Sequence, residues 1–403
     1  MTGSWIARLV VFVAFFDLFC QLPIVAPYAR LLGADPLVAS VTVASYDAAN
    51  LIGNLAAGLV LLGLGKHRSL VIGLLVSGIA LAAYGMVDTP WQFGVVRAMH
   101  GLGQAVLSPG AFTLLSDSVP RGRRAQAMGT AAAFIAIAAV VGPPLSGIVA
   151  SRVGPVAVFD GLAVLMAVAA TVVAVSTRRS EAATPATARS ARHASFLPVL
   201  LRPSLMVAYV ACLAWTAGIG TLVVHLPLLL EARDVPASVR GTAFGVYALV
   251  ALVLFARPAP AIVDRFGRLR TLAAGLGLVG ASLLALSLAG TTGEVYGAMA
   301  LFGCGFGLLF PAVTAYLADQ SAPGERGLAY GVFYAAYSLG VVVGEVASGQ
   351  MAEAFGATTV APFLAFGTVA LSVAAWVGAR SLREASREPT LPDAVESRPV
   401  VRA

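Results

Sequence analysis

Charge is scarce in this chain. Only 11% of its 403 residues are Asp, Glu, Lys or Arg, whereas soluble globular proteins carry about 25%. Hydrophobic residues make up 59%, which is too many for a water-soluble protein of this length. The net charge of +7 lies in short loops between apolar runs, where it is typical of membrane topology. We therefore expect a lipid bilayer as the main partner, and no nucleic acid.

Cysteine and histidine are also rare, with three and four residues. Cys20, Cys212 and Cys304 all fall within apolar runs, which predicts small packing residues and not a disulfide or metal set. The histidines show no metal-ligand spacing, no H-E-x-x-H occurs, and no Gly-rich phosphate loop ends in Lys-Ser/Thr. The sequence therefore predicts no cofactor, no metal, no use of ATP and no enzyme activity.

Long apolar stretches fill most of the chain. A membrane-spanning helix needs about 20 mostly apolar residues. Twelve stretches qualify, near residues 5–32, 37–63, 68–88, 91–116, 124–150, 156–177, 204–231, 239–262, 269–290, 294–318, 326–350 and 359–380. The sequence therefore predicts an all-α membrane protein with 12 transmembrane helices.

The chain also repeats itself at an offset of 202 positions. Asp117 recurs as Asp319, and Arg124 as Arg326. The same offset relates a series of Gly and Pro pairs: Gly101 and Gly303, Gly103 and Gly305, Pro109 and Pro311, Gly129 and Gly331, Gly142 and Gly344, Gly147 and Gly349. Two related halves are typical of transporters.

The polar segments divide the chain at its midpoint and at its end. We expect a first six-helix bundle over 1–177, a cytoplasmic linker over 178–202 and a second bundle over 203–380. The tail over 381–403 is polar and contains proline, which predicts disorder. Most Lys and Arg residues of the loops, with those of the linker and the tail, fall on one side of the predicted membrane. Because cytoplasmic loops carry an excess of these residues, both termini are predicted to be cytoplasmic in a cell membrane.

Three motifs resemble those of the major facilitator superfamily. Arg97, Gly101 and Gly103 match the arginine motif of its fourth helix, with His100 in place of the usual glutamine. The other two are the "antiporter motif" of the fifth helix and the loop motif between helices eight and nine; their residues here are Gly142, Pro143, Gly147, Asp264, Arg265, Gly267 and Arg268. The resemblance implies two pseudo-symmetric six-helix bundles and assigns these motifs to conformational change.

The loop motif is incomplete in the first half. In the family this loop latches the halves together on the cytoplasmic side through charge pairs. The residues that correspond to Asp264 and Arg265 in the first half are Leu62 and Gly63. The resemblance therefore implies a weakened latch, and other contacts would set the balance between conformations.

Several charged side chains fall inside the predicted membrane spans, where they are costly and mark functional sites. Asp17 and Gln21 lie one turn apart on the first span, Asp47 lies on the second, and Arg97 on the fourth. We expect Arg97 to pair with Asp17 or to receive an anionic group. Each acid is either a proton carrier or substrate contact, or a structural hydrogen-bond partner of a neighbouring helix.

Two further residues join this proton-coupling set. His100 lies one turn after Arg97, and its unperturbed pKa near 6.5 suits a proton acceptor, although a packed histidine would look the same. Glu345 takes the position of Pro143 in the repeat, and it is predicted to lie near Asp47. It either carries a proton or completes a polar helix interface. Candidate cavity residues are Gln21, Gln104, Trp215, His225, Phe306, Phe310, Tyr334 and Tyr337, each with core packing as its alternative.

The buried acids and the antiporter-like motif together favour one function. We expect a monomeric secondary transporter that exports a small amphipathic or drug-like molecule in exchange for protons. The alternative on the same fold is a proton-coupled uptake symporter or a facilitator of a small organic, even anionic, solute. A non-transporting sensor would need an added soluble domain, for which the linker and the tail are too short.

Overall fold

The computed structural model describes residues 2–120, 124–177, 199–256, 258–322 and 325–385. Every regular element in these ranges is a helix. The predicted tail lies mostly outside them, as does the linker apart from residues 199–202.

In the residues that the structure describes, the first half forms eight helices. Their bounds are α1 Thr2–Gln21, α2 Val25–Leu31, α3 Pro36–Leu64, α4 Lys66–Tyr84, α5 Pro90–Ala105, α6 Leu107–Asp117, α7 Arg124–Val153 and α8 Pro155–Thr177. The second half forms α9 Pro203–Glu231, α10 Ala237–Ala256, α11 Pro258–Phe266, α12 Arg268–Leu288, α13 Thr292–Gln320, α14 Arg326–Phe355 and α15 Ala361–Ala385.

These helices make the 12 predicted crossings. Ten of them are individually long and apolar enough to span a bilayer. The other two crossings are α3, with 29 residues, and the pair α5 and α6, with 16 and 11 residues joined at Val106. The first crossing is also interrupted, between Gln21 and Val25, where Pro23 follows α1.

The repeat is visible in how helices begin and turn. Thr89 and Thr291 each accept a hydrogen bond from the backbone N–H three residues on, and Gln92 and Glu294 reach back to close a capping box. Such caps satisfy backbone donors that a helix start leaves unpaired. Both boxes precede a crossing at the same relative position of each half.

Each half has its own hydrophobic core. One core gathers buried residues from the first half together with Val223, Val224 and Leu228 of α9, and the other gathers them from α9 to α15 and the short segment before α9. The halves meet mainly along two helix pairs, α7 with α10 and α3 with α14, with a smaller contact between α2 and α9. This arrangement gives two six-crossing bundles that face each other.

Small residues bring the halves together at one end of the molecule. We call it the far end; it carries the turns at residues 32–35, 232–236 and 356–360, and the basic end, with Lys66 and Arg268, lies opposite. Gly241 packs against the carbonyl of Pro143, and Gly349 against Ser40. A cavity of about 270 Å³ lies between the halves here, lined by Arg30, Leu31, Pro36, Leu228, Glu231, Ala232, Ala352 and Ala357.

Candidate functional site

Asp17 is the centre of a buried polar cluster, formed by Asp17, Gln21, Arg97, His100 and Gln104. Its side chain is fully buried, so its carboxylate depends on protein donors. Gln21 Nε2 donates to Oδ1 at 2.8 Å, and Gln104 Nε2 donates to Oδ2. The interruption after Gln21 and the helical spacing of Arg97, His100 and Gln104 on α5 direct these side chains to one place.

Arg97 is joined to Asp17 through Gln21, without a direct contact. Its Nη1 donates to Gln21 Oε1 at 2.8 Å, and its Nε and Nη2 donate to the Val43 carbonyl at 3.3 and 3.1 Å. Its guanidinium also lies 4.8 Å from the centre of the Tyr46 ring, a cation–π contact. The direct ion pair considered from the sequence is thus replaced by an amide bridge, which leaves the guanidinium next to α3.

His100 lies between Asp17 and Tyr84. Its Nε2 is 3.0 Å from Asp17 Oδ2, although the ring N–H is not aligned with that oxygen for a hydrogen bond. Its Nδ1 is 2.9 Å from the Tyr84 hydroxyl, and the Tyr46 ring packs edge-on against the imidazole. Both ring nitrogens therefore face groups that can exchange a proton.

Asp47 and Glu345 form a carboxyl pair across the two halves. Asp47 is on α3 and Glu345 on α14, and their side chains face each other where these helices pack. Glu345 is fully buried, and neither of its carboxyl oxygens has a hydrogen-bond donor among the described residues. Gly220 on α9 packs close to the backbone at Glu345, which holds α14 in place.

Four of the predicted cavity residues form an aromatic cluster: Trp215, Phe306, Phe310 and Tyr337. The Trp215 ring stacks on Phe306 with centroids 5.2 Å apart, and Phe310 and Tyr337 meet it edge-on at 6.1 and 5.5 Å. The indole N–H of Trp215 is buried without an acceptor among the described residues.

The other two predicted cavity residues of the second half, Tyr334 and His225, make different ring contacts. Tyr334 is 54% exposed and packs edge-on against Phe333. His225 Nε2 is 2.7 Å from the Thr359 carbonyl, and its ring packs on Phe363 near the far end. His225 therefore lies at the far end, away from the aromatic cluster, whereas Tyr334 lies three residues before Tyr337 on the same helix.

The predicted motif glycines are points of close helix contact. Gly101 faces the Tyr46 carbonyl on α3, and Gly103 faces Ser77 on α4. On α7, Gly142 faces Cys20, while Gly147 lies against Ala237 and Gly241 of α10. Pro143 lies inside α7, and its carbonyl meets Gly241.

The loop motif makes its ion pair within its own half. Arg268 pairs with Asp319, and at the equivalent place in the first half Lys66 pairs with Asp117. Gly267 has a positive φ of 84°, which favours glycine at this corner. Arg265 stacks on Phe266, and Asp264 is exposed. These two ion pairs each join neighbouring helices of one half.

The sequence profile of the Major Facilitator Superfamily matches residues 9–259 and 236–402. The chain belongs to the major facilitator superfamily. It is a multi-pass membrane transporter of small molecules and not an enzyme. Ten apolar helices, two paired bundles and the profile match agree on this assignment.

Relatives within the superfamily include drug exporters. Multidrug resistance protein 1 of Bacillus subtilis (strain 168) is 25% identical over 372 residues, which cover 90% of this chain and 92% of that protein. The multi-drug resistance efflux pump PmrA of Streptococcus pneumoniae (strain ATCC BAA-255 / R6) is 31% identical over 145 residues, 34% of this chain and 35% of that protein. The solved nucleoside transporter NupG superposes with a TM-score of 0.77 at 15% identity, covering 94% of this chain and 99% of that chain, so it shares the fold.

The sequence analysis did not identify two residues that contact the buried polar cluster. Tyr84 contacts His100, and the Val43 carbonyl binds Arg97. Tyr84 ends a helix of mostly small and apolar residues, where an aromatic residue looks like packing. A backbone carbonyl carries no sequence signal.

Proposed function

We propose that this transporter exports a small amphipathic or drug-like molecule in exchange for protons, by alternating access of its two halves. The carboxyl pair of Asp47 and Glu345 supports this best. Glu345 is fully buried and Asp47 is half-buried, so the two carboxyls cannot both ionise cheaply and hold one proton between them. Because the two groups belong to different halves, gain or loss of that proton changes the contact between the halves.

We propose a role in the transport cycle for the pair from its position. It lies on the α3–α14 contact, beside the far end, which is closed. Losing the proton places two negative charges at one helix contact and pushes α3 from α14. Binding a proton there restores the contact. We assign substrate contacts to the aromatic cluster and to Gln21 and Gln104, and proton coupling to the carboxyl pair together with Asp17, Arg97 and His100.

The orientation follows from the loop charges. We place the basic end and both chain termini in the cytoplasm, because Lys and Arg accumulate on the cytoplasmic side. The far end then faces outward, and proton binding at the carboxyl pair takes place from outside. We also propose that the protein acts as a monomer, with bundles over 1–177 and 203–380 joined by a cytoplasmic linker.

Transport in proteoliposomes tests this function. The purified protein is reconstituted with a panel of fluorescent amphipathic dyes, and dye movement is followed under an imposed pH gradient. Wild-type protein is expected to move at least one dye against its gradient, toward the side from which protons flow. Dye movement in the same direction as the protons would instead establish the symporter, and movement that ignores the gradient would establish a facilitator.

A single substitution separates coupling from packing. Glu345→Gln keeps the size of the side chain and its amide can hydrogen-bond, but it cannot titrate. Dye binding should survive while dependence on the pH gradient is lost. Glu353→Gln is the matched control, because Glu353 is exposed on the same helix. Undiminished gradient-driven transport in Glu345→Gln would refute the role of the carboxyl pair.

A further inference from the structure

The buried ionisable groups do not balance with a single proton. Three carboxyls, of Asp17, Asp47 and Glu345, share the region with one guanidinium, that of Arg97. Asp17, Arg97 and Glu345 are buried, so these charges are poorly compensated by water. If Asp47 and Glu345 share one proton, the set still carries one net negative charge. Neutrality in this low-dielectric setting requires a second proton.

His100 is the group placed to bind it. The imidazole is fully buried, and the groups that face it come from each neighbouring helix: Asp17 from α1, Tyr46 from α3 and Tyr84 from α4, with the positive charge of Arg97 one turn away on its own helix. One carboxylate contacts Nε2, and one hydroxyl contacts Nδ1. This arrangement stabilises an imidazolium on one side and accepts its second N–H on the other.

We infer that His100 and Asp17 bind a second proton of the transport cycle as an imidazolium–carboxylate pair oriented by Tyr84. The inference rests on the proposed proton coupling and adds a second binding site to it. The carboxyl pair spans both halves, whereas this second site lies entirely within the first half.

The proton balance at the second site can be written atom by atom. In the neutral pair, Nε2 carries the proton beside Asp17 Oδ2, and the Tyr84 hydroxyl donates to Nδ1. When a proton binds at Nδ1, the Tyr84 hydroxyl rotates and accepts from the new N–H, while Nε2 keeps its proton. No bond between heavy atoms changes, and release of the proton reverses the rotation of the hydroxyl.

The protonation of His100 also changes the surroundings of Arg97. While His100 is neutral, Arg97 is the balancing charge for Asp17 through Gln21. Once the imidazolium balances Asp17, the charge of Arg97 is available to the carboxyl pair, because it lies within electrostatic range of both acids. The two proton sites are therefore linked through one guanidinium.

Nitrogen NMR on the full-length protein in liposomes tests the inference without a substrate. The protein is labelled with ¹⁵N-histidine, and subtracting the spectrum of His100→Gln isolates the signals of His100. We expect one neutral tautomer with a proton on Nε2 at high pH, and two protonated ring nitrogens at lower pH. His100→Gln introduces the residue usual at this motif position, so it is a mild substitution.

Two further variants distinguish titration from packing. Asp17→Asn removes the carboxylate that stabilises the imidazolium, so the change should move to more acidic pH. Tyr84→Phe removes the hydroxyl that donates to Nδ1, so neutral His100 should become a mixture of its two tautomers. A His100 that keeps one neutral tautomer from about pH 5 to 9, or whose titration ignores Asp17→Asn, would overturn the inference. The proposed function would still stand if Glu345→Gln abolished gradient-driven transport in the separate assay.

Discussion

The two halves share a backbone plan and hold opposite chemistry at equivalent positions. Gln104 of the first half corresponds to Phe306 of the second, and Asp17 corresponds to Ile219. Gln104 donates a hydrogen bond to Asp17, whereas Phe306 stacks on Trp215. The same helix positions thus build a polar cluster in one half and an aromatic cluster in the other.

What the halves keep in common is the frame. The capping boxes begin at Thr89 and Thr291, and the tight corners with positive φ lie at Gly65 and Gly267, each pair 202 positions apart. Helix starts and corners constrain the backbone, and the backbone is the same in both halves. Side chains in the bundle interior are free to differ, so proton chemistry can be confined to one half and its border.

Among substitutions that test the difference between the halves, Arg97→Ala should have the largest effect on transport and stability. It removes the charge that balances Asp17, and truncating one member of a buried charged network costs about 3–5 kcal/mol. We expect gradient-driven dye transport to fall at least about tenfold, with reduced stability to heat in detergent. Met299→Ala, at the equivalent position of the second half, should leave a cavity and lower the free energy of unfolding by about 2–5 kcal/mol. Its dye transport should still depend on the pH gradient. Wild-type transport by Arg97→Ala between about pH 6 and 8 would contradict the assignment of proton coupling to the first half and its border.

A smaller effect is expected from the matched pair Gln104→Leu and Phe306→Leu. Gln104→Leu removes a hydrogen bond to a buried carboxylate, worth about 1.5–3 kcal/mol. Phe306→Leu stays apolar and loses aromatic contacts worth about 0.5–1.5 kcal/mol. Chemical denaturation measures both costs, and the pH profile of dye transport should shift only in Gln104→Leu. Equal shifts in both variants would mean that proton coupling is not confined to the polar cluster of the first half.

The smallest effect should come from the loop ion pairs. Lys66–Asp117 and Arg268–Asp319 are partly exposed, and such pairs contribute about 0–1 kcal/mol. Double-mutant cycles with alanine at each pair should give coupling energies below about 1 kcal/mol, nearly equal in the two halves. A coupling of several kcal/mol in one half alone would show that the corners are not equivalent.

The fold was largely predictable because apolar length and repetition are strong signals. The twelve stretches correspond to the 12 crossings, and the profile match confirms the family that the motifs resembled. The separation of α5 from α6 at Val106 was not predicted, although Pro109 lies three residues further on and has no N–H to bond the Ala105 carbonyl. The repeat-related Pro311 lies inside an unbroken helix, so a proline alone does not decide whether a helix separates into two.

The sequence indicated which residues form the buried polar cluster, but not how hydrogen bonds join them. Charged residues in apolar spans identified Asp17 and Arg97, since lipid tolerates neither. Their bridge through Gln21 depends on where the first crossing is interrupted, which a sequence pattern does not specify. His225 lies on the same helix as Trp215, but ten residues further along, where it contacts the Thr359 carbonyl. A shared helix therefore does not place a side chain in the aromatic cluster.

The cavity at the far end has a pharmacological consequence. Its walls come from both halves, with Arg30 and Pro36 on one side and Glu231 and Ala352 on the other. Such a space exists only while that end is closed. A compound shaped to it would bind one conformation alone, and a ligand shifts an equilibrium only through such differential affinity. It would inhibit transport by holding the far end closed, without competing with the transported substrate for its binding site.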